Sequence, residues 1–524
     1  MSEIRQDDLN TRLWSAADEM RTTMSADDYK DYLLGLVFYK NLSDEILYEV
    51  VDVIENRKPD SLEEAQKIFE EAYASDDKED LIEELINKFG CYLSPESTFV
   101  NLVREISERS FMLSKLAQIF RDIEQSQGHF YEGLFEDFDI NSKKLGKTPA
   151  EANRLISTVI LKLAEIDFHH YGYDALGDAY EYLISRFASE SGKKAGEFYT
   201  PRAVSSLIAQ IVTKGKEEKN AFSVYDPTMG SGSLLLQIKK YIRDTPQLNL
   251  TGKIQYFGQE LKNQTYNLAR MNMILHRVSS SQQHLRYGDT LGVDWPSDEP
   301  TTFDAVVMNP PYSQNYSADP GLLTDPRFAP YGKLPPKSKA DFAFLLHGFY
   351  HLKDSGTMGI VLPHGVLFRG GAEEVIRKKL LENSSIYAVI GLPSGIFYST
   401  SIPTCILVLK KNHIAGDVLF IDASKDYKKV GPRNYLLDEH LEKILAAYTE
   451  RKNIDKYAHL ATKEEIEQNE YNLNIPRYVD TMEKEAEIDL QEVFDELRAI
   501  STEQEKVTST LNGFFEELGL PNRL

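Results

Sequence analysis

Asn309-Pro310-Pro311-Tyr312 closes the apolar run "FDAVVM" with an amide, two residues that lack a backbone donor, and a flat ring. An amide carbonyl accepts a hydrogen bond from an amino group but is too weak a base to remove its proton. The residue before a proline is held extended, and proline fixes its own φ, so this turn is stiff. The Asn309 side-chain oxygen and the Pro310 carbonyl can then both accept from one exocyclic NH₂. Two such acceptors draw the nitrogen toward tetrahedral geometry and leave its lone pair free to attack an electrophile. Tyr312 offers a face to the ring that carries the amino group, and such stacking is worth about 1–3 kcal/mol per base.

Further segments have residue types that suit a small charged ligand. In "DPTMGSGS", Asp226–Ser233, Gly230 and Gly232 remove side chains where a backbone must approach a ligand, and the following helix offers free N–H groups. The dinucleotide fingerprint needs a third glycine at 235, where Leu stands, so NAD is disfavoured. Ser231 and Ser233 belong to the same turn. Glu260, in "YFGQEL", is placed to accept both hydroxyls of a ribose. Asp289, in "YGDTL", could accept from an adenine amino group. Taken singly, a strand–helix turn or a surface carboxylate explains each of these equally well. Upstream, "GEFYTPR" reads as a loop running into a helix start, with Tyr199 and Thr200 able to close over the glycine turn. "PSGIFYSTSIPTC" carries Phe397 and Tyr398; either ring could pack on an extruded base or simply fill the core.

These residues need a scaffold that gathers strand ends. From about residue 220 short apolar runs alternate with helical ones: "FSVYD", "KIQYFGQE", "FDAVVMN", "MGIVLP", "YAVIGL" and "TCILVLK" read as strands. The alternation predicts an α/β fold with a mostly parallel sheet between helices, whose ligands sit beyond the carboxyl ends of the strands. Residues 1–150 read as a helical N-terminal domain, 151–479 as the catalytic domain and 480–524 as a helical tail. Gly146-Lys147-Thr148 imitates the end of a phosphate-binding loop, but Asn141 stands where the first glycine is required, so a linker is expected. His169-His170 are neighbours and do not face one ligand, and no metal site is expected. In the tail, Leu490, Val493, Leu497, Ile500, Val507, Leu511, Phe514 and Leu518 follow 3- and 4-residue steps interrupted at Gln504. That is a coiled-coil seam, suited to a partner helix or to packing on its own domain.

The 524 residues include 82 Asp plus Glu against 59 Lys plus Arg, a net charge of −23. A chain that held nucleic acid alone would be expected to show a basic surface, so a partner should supply most of the phosphate grip. Two distant cysteines, Cys91 and Cys405, make neither a disulfide framework nor a zinc set. No apolar run approaches the ~20 residues of a spanning helix, and a cytoplasmic protein is expected.

The order "GEFYTP", "DPTMGSGS", Glu260, "YGDT", "NPPY" resembles amino-group DNA methyltransferases. It is most similar to the modification subunit of type I restriction–modification enzymes, which also has counterparts of the helical N-terminus and of "GLPSGIFYSTSIPTCILVLKK". The resemblance implies a Rossmann-like methyltransferase domain, S-adenosyl-L-methionine as cofactor, and methyl transfer to adenine N6 in DNA. It implies that Glu197, Phe198, Tyr199, Thr200, Pro201, Arg202, Ser231, Gly232, Ser233 and Glu260 line the cofactor site. Asp226 and Gly230 belong to its turn, and Asp289 faces the cofactor adenine. Asn309, Pro310, Pro311 and Tyr312 would be catalytic, with Phe397 a stacking candidate. It further implies a duplex with the target adenine flipped out, a DNA-sequence specificity subunit, a second copy of this chain, and a restriction/translocase subunit. Two rivals are a protein glutamine methyltransferase, whose substrate amide could use the same tetrad, and a catalytically silent assembly scaffold.

Overall fold

Nine strands form one sheet, in the order β11-β8-β6-β7-β5-β4-β1-β2-β3, in the computed structural model. The structure describes residues 2–126, 130–171, 175–190, 199–217, 219–250, 252–292, 301–397, 400–431, 433–481 and 489–521. The strands are β1 Phe222–Asp226, β2 Ile254–Glu260, β3 Gln283–Tyr287, β4 Phe303–Met308, β5 Leu352–Pro363, β6 Ile386–Gly391, β7 Thr404–Leu409, β8 Val418–Asp422 and β11 Ala458–Ala461. A separate hairpin pairs β9 Lys428–Val430 with β10 Arg433–Tyr435.

β1 pairs in parallel with both β2 and β4, and β2 with β3. Every residue of β4 is buried, as expected of a parallel strand covered on both faces. The chain leaves β1 toward β2 and β3 on one side and returns to β4 on the other, so the sheet has its topological switch between β1 and β4. β7 lies antiparallel between β5 and β6. The sheet is thus mostly parallel, with that reversal inside it and β11 antiparallel at one edge. β8, β11 and the hairpin are not among the runs read as strands: β11 and the hairpin strands have only four and three residues, and β8, as long as β1, lies beyond the regular alternation.

The N-terminal helices pack around the 30-residue helix Ala26–Glu55. Their apolar cluster runs through the helices Pro149–Ala164 and Ala175–Glu190 to Phe187. The all-helical layer therefore extends past residue 150. Thr148, the end of the false phosphate loop, caps the first of these helices: its hydroxyl accepts from Glu151 N at 3.2 Å. The helix Asn263–Leu275, which follows β2, gives Leu268, Met271 and Leu275 to the helical cluster and Met273 to the sheet cluster. One two-sided helix thereby joins helical layer and sheet.

Two compact units emerge, Met1–Val479 and Asp480–Leu524. The second contains the helix Leu490–Glu517, whose Asp489 cap accepts from Gln491 N at 2.8 Å. No residue of that helix is buried; Leu490, Val493, Leu497, Ile500, Val507, Leu511 and Phe514 are all exposed. Among the described residues no helix is long and apolar enough to cross a membrane.

Candidate active site

The parallel pairing of β4, β1, β2 and β3 carries four separated sequence segments to one sheet edge. Asp226 ends β1, Glu260 ends β2, Asp289 follows β3 by two residues, and Asn309 follows β4 directly. Gly230 and Gly232 adopt φ of +53° and +78°, which a side chain would strain. Gly258 in β2 makes room for Met229: a Cβ there would run into its sulfur. Gly230 N donates to Glu260 Oε2 at 3.2 Å, so the turn after β1 is tied to the acid after β2. Behind the turn, the Ser231 and Ser233 hydroxyls lie 2.8 Å apart, and Asn272 Nδ2 donates to Ser231 O at 2.9 Å.

A narrow cleft lies here, lined by Thr200, Asp226, Gly230, Ser231, Ser233 and Asn309 among others. Asp226 is fully buried; its Oδ1 accepts from Thr228 N at 3.0 Å, while Oδ2 has no hydrogen-bond partner. Burial pushes its carboxyl up to about 8, against the Thr228 bonds that lower it. Burial also raises Glu260, against the backbone N–H groups of Lys262 and Gly230. A pair of desolvated acids, one with an orphaned oxygen, suits a ligand that brings a cation and hydroxyls.

Asn309 is fixed at both ends of its amide. Nδ2 donates to Thr200 Oγ1 at 3.1 Å, and Oδ1 accepts from Tyr312 OH at 2.8 Å. A carbonyl oxygen has two lone pairs, so one acceptor position on Oδ1 remains. The Tyr312 ring meets Phe397 edge to face, with centroids 6.3 Å apart. Phe397 is itself buried, at 6% exposure, in the apolar cluster on this face of the sheet. Tyr199, Pro201 and Arg202 line a neighbouring cavity and not the narrow cleft, which Thr200 alone among the described residues of this segment reaches. Glu197, Phe198 and Tyr398 lie outside the described residues.

The Asp289 loop depends on residues the sequence did not single out. Thr290 Oγ1 donates to Pro227 O at 2.6 Å, bridging to the turn after β1. Arg327 is 1% exposed and donates to Thr290 O at 2.9 Å and Gly292 O at 3.0 Å. Asp325 takes the same guanidinium at 2.9 and 2.7 Å. The chain continues through His347 Nδ1, 3.1 Å from Arg327, to the Tyr225 hydroxyl, 3.0 Å from His347 Nε2. Burial holds His347 well below the usual imidazole range, so it stays neutral next to Arg327. A lone Arg in a loop has no sequence signature; only its burial shows its task. Elsewhere, Asp178, Glu181 and His276 present ligand atoms within 4.8 Å of one another, but Lys240 holds both Asp178 oxygens at 3.0 Å, which makes that cluster an ion-pair network.

The family description "N-6 DNA Methylase" matches residues 171–487, and "HsdM N-terminal domain" matches residues 9–163. The chain belongs to the methylase subunits of type I restriction enzymes. It is 34% identical to the MpnII methylase subunit of Mycoplasma pneumoniae, over 98% of this chain and 97% of that one. It is 32% identical to the MjaVIII methylase subunit of Methanocaldococcus jannaschii, over 99% and 86%. A solved type I methyltransferase subunit from Streptococcus thermophilus is 55% identical, with a TM-score of 0.88 over 91% of this chain and 100% of that one. The methyltransferase α/β fold and helical N-terminus read from this methylase's sequence are therefore correct.

Arg327→Met removes the donor to Thr290 O and Gly292 O while keeping most of the volume. We expect faster hydrogen exchange at the Leu291 and Gly292 amides, which bond to Asp289, with β1 amides unchanged. Unchanged protection at 291–292 would show that the loop holds without it.

Proposed function

We propose that this methylase subunit transfers a methyl group from S-adenosyl-L-methionine to N6 of adenine in duplex DNA, with the adenine flipped out of the stack. The observation that carries the reading is the position of Asn309: across the switch point from Asp226, lining the same cleft, whose Gly230 turn is bonded to Glu260. Methylase family membership favours DNA over a protein amide, and the complete tetrad speaks against a silent scaffold.

The residues present fit the cofactor. Asp226 Oδ2, buried and unpartnered, would take the ammonium of its amino-acid end, with the positive-φ turn Gly230–Gly232 beside it. Glu260 would accept from the ribose hydroxyls, and Asp289 from the adenine amino group. When bound, the cofactor supplies a methyl group made electrophilic by a sulfonium. The chain does the rest. Thr200 fixes the Asn309 amide so that Oδ1 points one acceptor at the incoming amino group, and the Pro310 carbonyl offers the second. Neither acceptor is a strong base, so the extra N6 proton leaves toward water after the new N–C bond has formed. The flipped base must leave its stack at a cost of a few kcal/mol, and Tyr312, with Phe397 behind it, offers the replacement contact. The subunit is proposed to work in the cytoplasm with a sequence-specificity subunit, a second copy of itself and a restriction/translocase subunit. The 480–524 segment is proposed as its docking tail and 1–150, with the helices up to Glu190, as its helical domain.

Asn309→Ala should lower the single-turnover methylation rate by about 10²–10³ while cofactor binding persists. Methylation at the wild-type rate would remove the tetrad from the mechanism.

Cofactor affinity should rise with pH through about 8, because a protonated Asp226 cannot pair with an ammonium and its carboxyl ionises there. Glu260, raised by the same burial, acts with the same sign. Asp226→Asn should flatten the rise, leaving only the contribution of Glu260; calorimetric titration across this range reads both.

Deleting the chain from Asp489 onward should weaken co-purification with the specificity subunit and leave cofactor binding intact. Unchanged co-purification would mean the apolar row serves another purpose.

A further inference from the structure

The chain is acidic overall, yet the β9–β10 hairpin is not. From 425 to 435 it carries Lys425, Lys428, Lys429 and Arg433 against Asp426 alone. Asp426 is already taken, by Lys443 at 2.8 Å and by the Tyr457 hydroxyl at 2.7 Å. All three residues of β9 are exposed, as are Tyr427 and Tyr435. The hairpin does not hang free. Asn434 Nδ2 donates to Ser394 O at 2.8 Å, which pins β10 to the loop whose Phe397 meets Tyr312.

Between the hairpin and the start of the helix Arg202–Thr213 lies a cavity of about 480 Å³. Arg202 and Arg433 line it against one acid, Asp438, together with Tyr199, Asn434 and Tyr435. This cavity is separate from the narrow cleft at Asp226 but adjoins it in sequence where Tyr199 and Pro201 flank Thr200, which bonds Asn309, and where Ile396 precedes Phe397, which meets Tyr312. A second basic stretch follows the tetrad in sequence: Lys333, Lys337 and Lys339, with no acid among residues 333–339. It is bonded to the segment after the tetrad, through Tyr316 N to Lys337 O at 3.1 Å and Ala340 N to Gln314 O at 2.9 Å.

We propose that the hairpin and its cavity hold the sugar–phosphate backbone of the target strand beside the flipped nucleotide. Lys428 and Lys429 sit against phosphates, and Arg433 and Arg202 face the nucleotide next to the target. The proposal rests on the DNA-methylation reading and adds where this chain itself touches the polyanion. Three observations point to nucleic acid: cations concentrated on the β9–β10 hairpin of a chain of net charge −23, the exposed rings of Tyr427 and Tyr435 at its two ends, and a hydrogen bond from Asn434 to the loop whose Phe397 meets Tyr312. Specificity is not required of this surface, because phosphate contacts position a duplex without reading its sequence.

The test uses full-length chain assembled with its specificity subunit and a cognate duplex. Lys428→Ala/Lys429→Ala should make the plot of log affinity against log salt shallower by about 2. Cofactor affinity measured without DNA should match wild type. Lys214→Ala/Lys253→Ala, exposed at the opposite, amino-terminal end of the strands, serves as the control and should leave the slope unchanged. An unchanged slope in the hairpin variant overturns the proposal, as does an equal change in the control. So does loss of assembly with the specificity subunit at unchanged slope, which would make the hairpin a protein contact. Absence of cofactor-dependent DNA methylation in the wild-type complex would instead sink the underlying reading.

Discussion

Parallel pairing of β1 with both β2 and β4 is the constraint on which the rest of this methylase subunit depends. It sets the carboxyl ends of β4, β1, β2 and β3 side by side and places the switch of chain direction between β1 and β4. Three carboxylates and an amide that are up to 83 positions apart, from Asp226 to Asn309, become neighbours at one edge. The turn that follows β1 must then pass close to β2, and the positive φ of Gly230 and Gly232 makes that approach possible. A price is visible in the acids: Asp226 and Glu260 are held where burial disfavours their charge. Such an arrangement gains from a ligand that brings the missing cation and hydroxyls.

The reversed strand β7 has a consequence at the same edge. Because β6 runs toward the edge and β7 runs away from it, residues 392–397 and 400–403 lie at the carboxyl ends. That is why Phe397, distant in sequence from the tetrad, meets Tyr312, and why a hairpin tied to Ser394 ends up beside the pocket. A wholly parallel sheet would have sent this connection back across a face. The segment after the tetrad adds a different kind of support. Arg327 satisfies two loop carbonyls, pairs with Asp325 and abuts a neutral histidine, so a buried guanidinium does the work of a covalent brace for the Asp289 loop. Its charge is tolerated because each direction it faces holds an acceptor.

Charge and exposed apolar surface fit an assembled enzyme. A net charge of −23 opposes independent binding to a polyanion, and the tail helix leaves a row of leucine, valine, isoleucine and phenylalanine side chains exposed. Exposed apolar rows of that length on a soluble helix mark an interaction surface. The helical layer, joined to the sheet through the two-sided helix Asn263–Leu275, gives the Gly230–Gly232 turn a rigid backing through Asn272.

The sequence by itself determined the family and the α/β class. The Asn-Pro-Pro-Tyr turn restricts its own backbone through two prolines, so its meaning survives without tertiary context. The Gly-x-Gly turn and the alternating apolar runs likewise encode local geometry and period, and they sufficed for the α/β class. Only the tertiary structure decided what depends on contacts between distant segments. It moved Tyr199 and Arg202 to a second cavity while Thr200, among the described residues of that segment, reached Asn309, and it carried the helical layer to Phe187. It also recruited Arg327 and Thr290, and it tied a lysine-bearing hairpin to the loop that carries Phe397. None of these has a local signature, because burial and proximity are properties of the packed chain and not of any window along it.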